Sequence, residues 1–189
     1  PPQPYEAHVR GVCERAGKYA AETECYSVKA NGILSTIVRD SALLHDLGKL
    51  EERNQSVLCE QSRRWRHLPV DHTDAGSAAL QKMGSGCAAM LAYSHHQGLP
   101  DLSTEFAARG CSIFRNGNAA ARAETDAVLP ALLRQHEALF PRKPNKEVQA
   151  YDGDPAVFLR MALSCLADAD HGDTAAAFGQ TEKALPELR

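Results

Sequence analysis

The sequence predicts a single all-α domain, because helical patterning covers most of the chain and strand patterning is scarce. Apolar residues recur at spacings of three and four along the 189 residues, whereas the alternation of β-branched and polar residues that marks strands is rare. A chain of this length with 43% hydrophobic residues can bury one sizeable core but is short for two domains. No apolar run approaches the roughly 18 residues that a bilayer span requires, so we expect a cytoplasmic protein with no membrane partner.

Two helices are predicted in the N-terminal quarter of the chain. The first covers about residues 6–21, where Val9 and Ala16 belong to one apolar face. The second covers about residues 32–47 and is apolar on most sides, which is typical of a central core helix. Gly48 follows it and is the predicted stop signal, since glycine commonly ends helices.

Capping and turn residues delimit two shorter helices in the middle of the chain. Residues 51–70 are polar and basic and have room for one short helix. Asp71 or Thr73 is expected to cap a helix that runs to about residue 83, because both side chains can accept backbone N–H groups. The sequence MGSG then separates this helix from another over about residues 87–96.

Two long helices are predicted in the C-terminal half, after an irregular stretch. Residues 97–118 contain glycines and a proline and are expected to lack regular structure. An amphipathic pattern predicts a helix over about residues 119–140. Asp154 and Pro155 then begin a helix over about residues 156–178, because proline is favoured in the first turn.

Cysteine use and net charge exclude several classes of protein. The six cysteines are scattered with no CxxC pair, so we expect reduced, mostly buried thiols rather than a disulfide scaffold or a zinc ribbon. The net charge of −3 lacks the basic excess of a general nucleic-acid-binding protein. Any contact with nucleic acid must therefore be local.

Histidines concentrate at or beside the predicted helix ends. A lone buried histidine is more often a hydrogen-bonded core residue than a ligand, but here several ionisable residues recur in order beside helices. Burying them without partners would be expensive, so a shared metal ion is the economical explanation. Imidazole and carboxylate ligands together suit divalent transition metals. The residues are His8, His45, Asp46, His72, His95, His96 and His171, with Asp168 and Asp170 in the last helix.

Five segments carry the most informative motifs and together span nearly the whole chain. They are YEAHVRGVCERAGKYA (5–20), SALLHDLGKLEE (41–52), DHTDAGSAAL (71–80), AYSHHQGLPDL (92–102) and LSCLADADHGDT (163–174). HDLGK alone resembles the HD phosphohydrolase superfamily. HHQGLPD and SCLADADHGDT are more specific, and resemble the HD nuclease domain of the CRISPR-associated nuclease-helicase of type I interference systems.

The resemblance implies a metal-dependent nuclease that hydrolyses phosphodiester bonds of single-stranded DNA during CRISPR interference against foreign DNA. It implies two divalent ions, Mn, Fe, Co or Ni with Mg possible, and Asp46 is the natural bridge because one carboxylate has two oxygens. Lys49 would contact the phosphate or the transition state, with a surface or supporting role as the alternative. The implied metal ligands are His8, His45, Asp46, His72, His95, His96 and Asp170, with Asp168 as the alternative to Asp170.

Three further residues are weaker candidates. His67 lies five residues before His72 and competes with it as a ligand, although the AG that follows favours His72. Ser94 and Asp101 are candidates for orienting ligands or substrate.

A local basic segment is the predicted contact with DNA. Its arginines can hold backbone phosphates, and its tryptophan can stack on a base. The alternative is a set of solvated arginines beside a tryptophan that packs on the domain surface. The segment consists of Arg63, Arg64, Trp65 and Arg66.

The expected partners follow from the same resemblance. The chain contains no GxxxxGK[ST] helicase motif, so it is either the nuclease half of a fusion or a separate subunit that works with a helicase. The CRISPR RNA-guided surveillance complex is the further implied partner. Two alternative functions stay open: an HD phosphohydrolase that acts on a nucleotide or cyclic nucleotide, and a non-catalytic docking module.

Overall fold

The structure, a computed structural model, describes residues 3–30, 32–59, 68–145 and 151–180. Within these ranges the regular structure is helical and contains no strand, which confirms the all-α prediction. No helix among these residues is long and apolar enough to cross a bilayer. The helices are α1 (Tyr5–Glu24), α2 (Ile33–Leu44), α3 (Glu52–Cys59), α4 (His72–Lys82), α5 (Gly86–Ser94), α6 (Leu102–Arg109), α7 (Ala119–Leu139) and α8 (Pro155–Ala177).

Helix α2 lies at the centre of the fold. It packs against α1, α4, α5 and α8, while α1 also packs along α8 and α4 along α5. Most of its side chains are buried, including Leu34, Ile37 and Leu44. Because apolar burial on several sides stabilises this helix, its C-terminal end is a rigid position in the middle of the domain.

Side-chain caps begin two of the helices that were expected to have them. Asp71 accepts hydrogen bonds from the backbone N–H groups of Thr73 and Asp74, so it is Asp71 that caps α4. Asp154 caps α8, with Pro155 in the first turn. The Asp71 cap places His72 at the first residue of α4.

Helix α2 ends earlier than predicted, at the His-Asp pair. Its last residue is Leu44, and the predicted stop at Gly48 is wrong. Asp46 leaves the helical conformation, with φ −109° and ψ 18°, before a 3-10 turn over Leu47–Leu50. Apolar residues lie on both sides of this break, so periodicity could not detect it.

The stretch 97–118, predicted to be irregular, contains α6 and a short 3-10 turn. Asp101 caps α6 by accepting a hydrogen bond from the backbone N–H of Thr104 at 2.7 Å. A capping residue was therefore the readable signal for this helix. The short helix α3 lies in the region that was expected to have room for one.

The cysteine prediction is correct for bonding and wrong for burial. All six thiols are free. Cys165 is buried and Cys13 is half-buried. The other four are exposed, because they lie at or next to helix ends on the surface. The exposed ones are Cys25, Cys59, Cys87 and Cys111.

Candidate metal centre

The predicted ligands lie together around Asp46, in two groups that share this residue. Within each group the ligand atoms all lie within 4.8 Å of one another. They come from α1, the end of α2, the start of α4, the end of α5, and α8. The inner group is His8, His45, Asp46 and Asp170, and the outer group is Asp46, His72, His95 and His96.

The inner group is buried and contains two carboxylates. The Nε2 atom of His8 lies 3.0 Å from Asp46 Oδ2 and 3.2 Å from Asp170 Oδ1. The Nε2 atom of His45 lies 3.3 Å and 3.8 Å from the same two oxygens. Two imidazole nitrogens and two carboxylate oxygens thus face one another, as the ligands of a divalent cation do.

The outer group faces the other oxygen of Asp46. The Nε2 atoms of His72 and His95 lie 3.6 Å and 3.9 Å from Asp46 Oδ1. The Nε2 atom of His96 lies 3.0 Å from that of His72. His96 is exposed and the His72 side chain is 20% exposed, so this group can be reached from solvent.

Two histidines of the site are oriented by backbone carbonyls. His45 Nδ1 donates to the carbonyl of Ala42 at 2.8 Å, and His95 Nδ1 donates to that of Ala92 at 2.7 Å. Each histidine directly follows a helix, where the last carbonyls have no helical donor. When the ring is neutral, this hydrogen bond places the lone pair on Nε2, which is the form of imidazole that binds a metal.

Several buried ligand atoms lack a partner with good hydrogen-bond geometry. Among the described residues this holds for the Nε2 atoms of His8, His45 and His95 and for both carboxylate oxygens of Asp46, although His8 Nε2 and Lys49 Nζ lie at ion-pair distance from Asp46 Oδ2. Each unsatisfied buried polar atom costs about 1–3 kcal/mol. Because all five atoms face the same small space, one class of ligand satisfies them together. These buried histidine and aspartate groups can hold a metal ion.

Carboxylates govern the protonation of the inner histidines. Burial alone would lower the pKa of His8 and of His45. The carboxylates of Asp170 and Asp46 both act on each histidine and outweigh burial, so the pKa of His8 is raised to about 9 and that of His45 to about 10. Burial opposes ionisation of Asp46, yet the charges of His45 and Lys49 hold its pKa well below the usual range. The inner group therefore attracts positive charge.

The outer histidines behave in the opposite way. Burial lowers the pKa of His72 to about 4 and that of His95 to about 3. Burial lowers the pKa of His96 as well. These imidazoles are neutral at pH 7, so their nitrogens are available as ligands without losing a proton.

Lys49 contacts the centre directly. Its Nζ lies 2.5 Å from Asp46 Oδ2, and its side chain is 25% exposed. The 3-10 turn Leu47–Leu50 brings the two residues together, because residues three apart are aligned in that helix. Burial would lower the pKa of Lys49, but Asp46 raises it, so the ammonium stays charged.

The two candidate aspartates of α8 lie on different faces of the helix. Asp170 is buried in the inner group, whereas Asp168 is exposed and lines a surface pocket with Tyr19 and Arg160. Residues two apart on a helix point roughly 200° apart, so burial of one turns the other away. Asp170 is therefore the aspartate of α8 that the fold brings to the site.

Two glycines let α4 approach the end of α2. A Cβ at Gly48 would lie 2.5 Å from the Cα of His72, and a Cβ at Gly76 would lie 2.1 Å from the carbonyl oxygen of Leu44. Both contacts are with backbone atoms, which cannot rotate away. The absence of a side chain at Gly48 and Gly76 therefore sets the position of His72 beside the His-Asp pair.

An ion pair between the half-buried Arg115 and the buried Asp74 supports the first turn of α4. Arg115 donates from Nε and Nη2 to the two carboxylate oxygens of Asp74, at 2.7 Å and 3.0 Å. Asn116 Nδ2 donates to Asp71 Oδ2 at 2.7 Å. Sequence reasoning missed this support for His72, since the two partners of each contact are distant in the chain and follow no local pattern.

Asp173 is the residue nearest the ligands that sequence reasoning missed. Its Oδ2 lies 2.9 Å from His8 Nδ1. It follows Asp170 by three residues in α8, and this spacing on one helical face was the readable signal.

Of the weaker candidates, Ser94 has a buried hydroxyl without a hydrogen-bond partner among the described residues. The exposed His171 forms a third group with the exposed His96 and the buried Asp170.

The predicted DNA-binding segment, Arg63, Arg64, Trp65 and Arg66, lies outside the described residues, as does His67.

Comparisons of the chain with protein-family models, with curated proteins and with solved structures found no match. A functional assignment therefore has to come from the chain's own residues and their geometry.

Proposed function

We propose that this chain is a metal-dependent nuclease that hydrolyses phosphodiester bonds of single-stranded DNA. The observation that carries the proposal is the position of Asp46 between two histidine clusters. Its Oδ2 faces His8 and His45, and its Oδ1 faces His72 and His95. One carboxylate offered to two clusters suits a pair of ions, and paired ions serve in-line displacement at phosphorus.

The proposed cofactors are two divalent ions, one in each group. Imidazole donors favour Mn, Fe, Co or Ni over Mg, which prefers oxygen ligands. The inner group offers two nitrogens and two carboxylates, and the outer group offers three nitrogens and the second oxygen of Asp46. When bound, such ions would acidify a water molecule and neutralise the charge that develops on the phosphate.

Lys49 supplies a further positive charge at this centre. Its ammonium lies beside Asp46, and part of the side chain faces solvent. A phosphate that reaches the outer group would therefore meet this ammonium as well. We assign Lys49 to stabilising negative charge on the phosphate in the transition state.

The openness of the outer group supports a polymeric substrate. His96 is exposed and His72 is partly exposed, so a strand can reach the ligands from the surface. The segment Arg63, Arg64, Trp65 and Arg66 is the proposed contact for the strand, because arginine and tryptophan bind phosphates and bases without sequence preference.

The proposed setting is CRISPR interference in the cytoplasm. The motifs HHQGLPD and SCLADADHGDT are what support it, through their resemblance to HD nuclease domains of that system. The proposed partners are a helicase domain or subunit that unwinds the DNA, and the CRISPR RNA-guided surveillance complex that recruits it.

A cleavage assay with defined metals tests the proposal. The chain is freed of metal with a chelator, supplied with Mn²⁺, Ni²⁺, Co²⁺ or Mg²⁺, and offered circular single-stranded DNA, duplex DNA and a panel of nucleotides. We expect cleavage of the circle only with metal, and its loss in Asp46→Ala. Asp168→Ala is the matched control, since it removes an exposed aspartate outside both groups.

Two results would contradict the proposal. Hydrolysis of a nucleotide or cyclic nucleotide with the circle left intact would favour the nucleotide phosphohydrolase. Full cleavage in the chelator, or by Asp46→Ala, would overturn the metal mechanism.

A further inference from the structure

Asp173 lies behind His8, on the side of the ring away from the other ligands. Its Oδ2 is 2.9 Å from His8 Nδ1, while His8 Nε2 faces Asp46 and Asp170 at 3.0 Å and 3.2 Å. Asp173 is 8% exposed and follows Asp170 by one helical turn. The two carboxylates of α8 therefore contact opposite nitrogens of one imidazole.

His8 needs a side-chain partner because of its place in the fold. His45 and His95 follow the ends of helices and donate to free backbone carbonyls. His8 lies inside α1, where the carbonyls of the preceding turn accept helical hydrogen bonds. Asp173 supplies the acceptor instead, and this acceptor is charged.

The surroundings of Asp173 hold its carboxylate in place. Gln3 Nε2 donates to Asp173 Oδ2 at 2.7 Å. On the other side, Asp173 Oδ1 occupies space that opens because Gly11 has no side chain. A Cβ at Gly11 would lie 1.9 Å from that oxygen. Residues on both sides of His8 thus accommodate the carboxylate.

We propose that Asp173 is a positioning residue that holds His8 as an Nε2 ligand of the inner ion. In the neutral ring that binds a metal, the hydrogen bond to Asp173 selects the tautomer with the lone pair on Nε2, and the negative charge makes that nitrogen a stronger electron-pair donor. Together with the two carboxylates of the inner group, this makes the inner group the tighter of the two metal sites. The inference rests on the metal centre of the proposed function.

Metal titrations of four variants of the full chain test this role. Asp173→Asn keeps the size of the side chain and removes its charge. Gly11→Ala keeps the carboxylate and displaces it, with little risk to the fold because the displaced atoms end a side chain. The controls are Asp168→Asn, on the exposed face of α8, and Gly17→Ala, whose Cβ would meet nothing within 4 Å.

The readouts are the dissociation constants of Mn²⁺ and the absorption spectrum with Co²⁺. We expect Asp173→Asn to weaken the inner site about 10- to 100-fold, which is typical for a partner of a metal-bound histidine. Gly11→Ala should weaken it in the same direction, while the outer site and both controls stay within about twofold of the parent chain. Thermal unfolding of the metal-free chains separates this result from a purely structural role, which would lower the unfolding temperature and leave the ratio of the two constants unchanged.

The possible failures are distinguishable. If both Asp173→Asn and Gly11→Ala bind the inner ion as tightly as the parent chain, the positioning role is overturned, whatever the chain cleaves. If the parent chain binds no divalent ion, the positioning role and the proposed function fall together. If it binds two ions but does not cleave the DNA circle, the nuclease proposal fails while the role of Asp173 stands or falls on the titration.

Discussion

The inner and outer groups share Asp46 but differ in burial and charge. The inner group is buried, contains two carboxylates, and raises the pKa of His8 and His45 to about 9 and about 10. The outer group has three imidazoles, opens to solvent at His96, and contains no carboxylate besides Asp46.

This difference suggests separate roles for the two groups within the proposed metal centre. Two carboxylates in a buried space attract a cation strongly, because a low dielectric increases electrostatic attraction. In the proposed function, the neutral imidazoles of the outer group would bind a cation less tightly, and the exposed His96 would leave room for a substrate. The proposed function therefore assigns the retained ion to the inner group, and ion exchange and substrate contact to the outer group.

The largest expected effect comes from removing the second inner carboxylate. Asp170→Asn should weaken the inner site by more than about 100-fold, since even changes in outer-shell partners cost 10- to 100-fold. Cleavage of single-stranded DNA should fall with it. Metal analysis after gel filtration measures the loss, with Asp168→Asn as the control. An unchanged metal content in Asp170→Asn would remove the basis for treating the inner group as a metal site.

Removing an outer ligand should have a smaller and more selective effect. His96→Gln should weaken the outer ion by about 10- to 100-fold and leave the inner ion in place, so the bound metal falls from two ions to one. Calorimetric titration with Mn²⁺ resolves the two steps, and the retained inner step is the internal control. Loss of both steps would mean that the two groups do not bind independently.

Displacing the backbone of the outer group should have a moderate effect. Gly48→Ala places a Cβ 2.5 Å from the Cα of His72, so the 3-10 turn or α4 has to move. We expect a loss of about 1–3 kcal/mol in the free energy of unfolding and a weaker outer site. Urea denaturation measures the first quantity. Gly17→Ala is the control and should be neutral or slightly stabilising. A Gly48→Ala chain as stable as the parent would contradict the close approach.

The smallest expected effect is a loss of folding stability at acid pH that arises from His136, which contacts the start of α1. The hydroxyl of Tyr5, at the start of α1, lies 3.0 Å from Nδ1 of His136. Burial lowers the pKa of His136 to about 4. A lowered pKa means that the folded state binds fewer protons. This contribution is therefore fully present above pH 6.5 and is lost as the pH falls toward 4. The stability lost should amount to about 1–2 kcal/mol by pH 5.

Denaturation of the metal-free chain measures this acid response. The difference in the free energy of unfolding between the parent chain and His136→Phe should change between pH 7 and pH 5. A difference that is independent of pH would contradict the neutral, buried state of His136.

Local patterns were sufficient to predict most helices, whereas the set of candidate ligands came from the family resemblance and left Asp168 and Asp170 as alternatives. Asp71 and Asp154 predicted helix starts because capping is a contact between near neighbours. The end of α2 could not be predicted in the same way, since the 3-10 turn after Asp46 carries the same apolar pattern as the helix. Asp101 was a weaker candidate for orienting ligands or substrate, and its side chain caps α6.

The sequence by itself determined the helical class and which residue types recur beside helix ends, because periodicity, capping and composition act over a few residues. The contact of Lys49 with Asp46 is local, since the two residues are three apart in the chain. Only the tertiary structure decided between Asp168 and Asp170 and set Asp173 behind His8. Each of these depends on which helical face is buried and on how closely distant segments pack. Spacing along one helix shows which residues share a face, but the partner on another helix has no local signature. That partner is set only when α1, α2, α4, α5 and α8 meet around the end of the central helix.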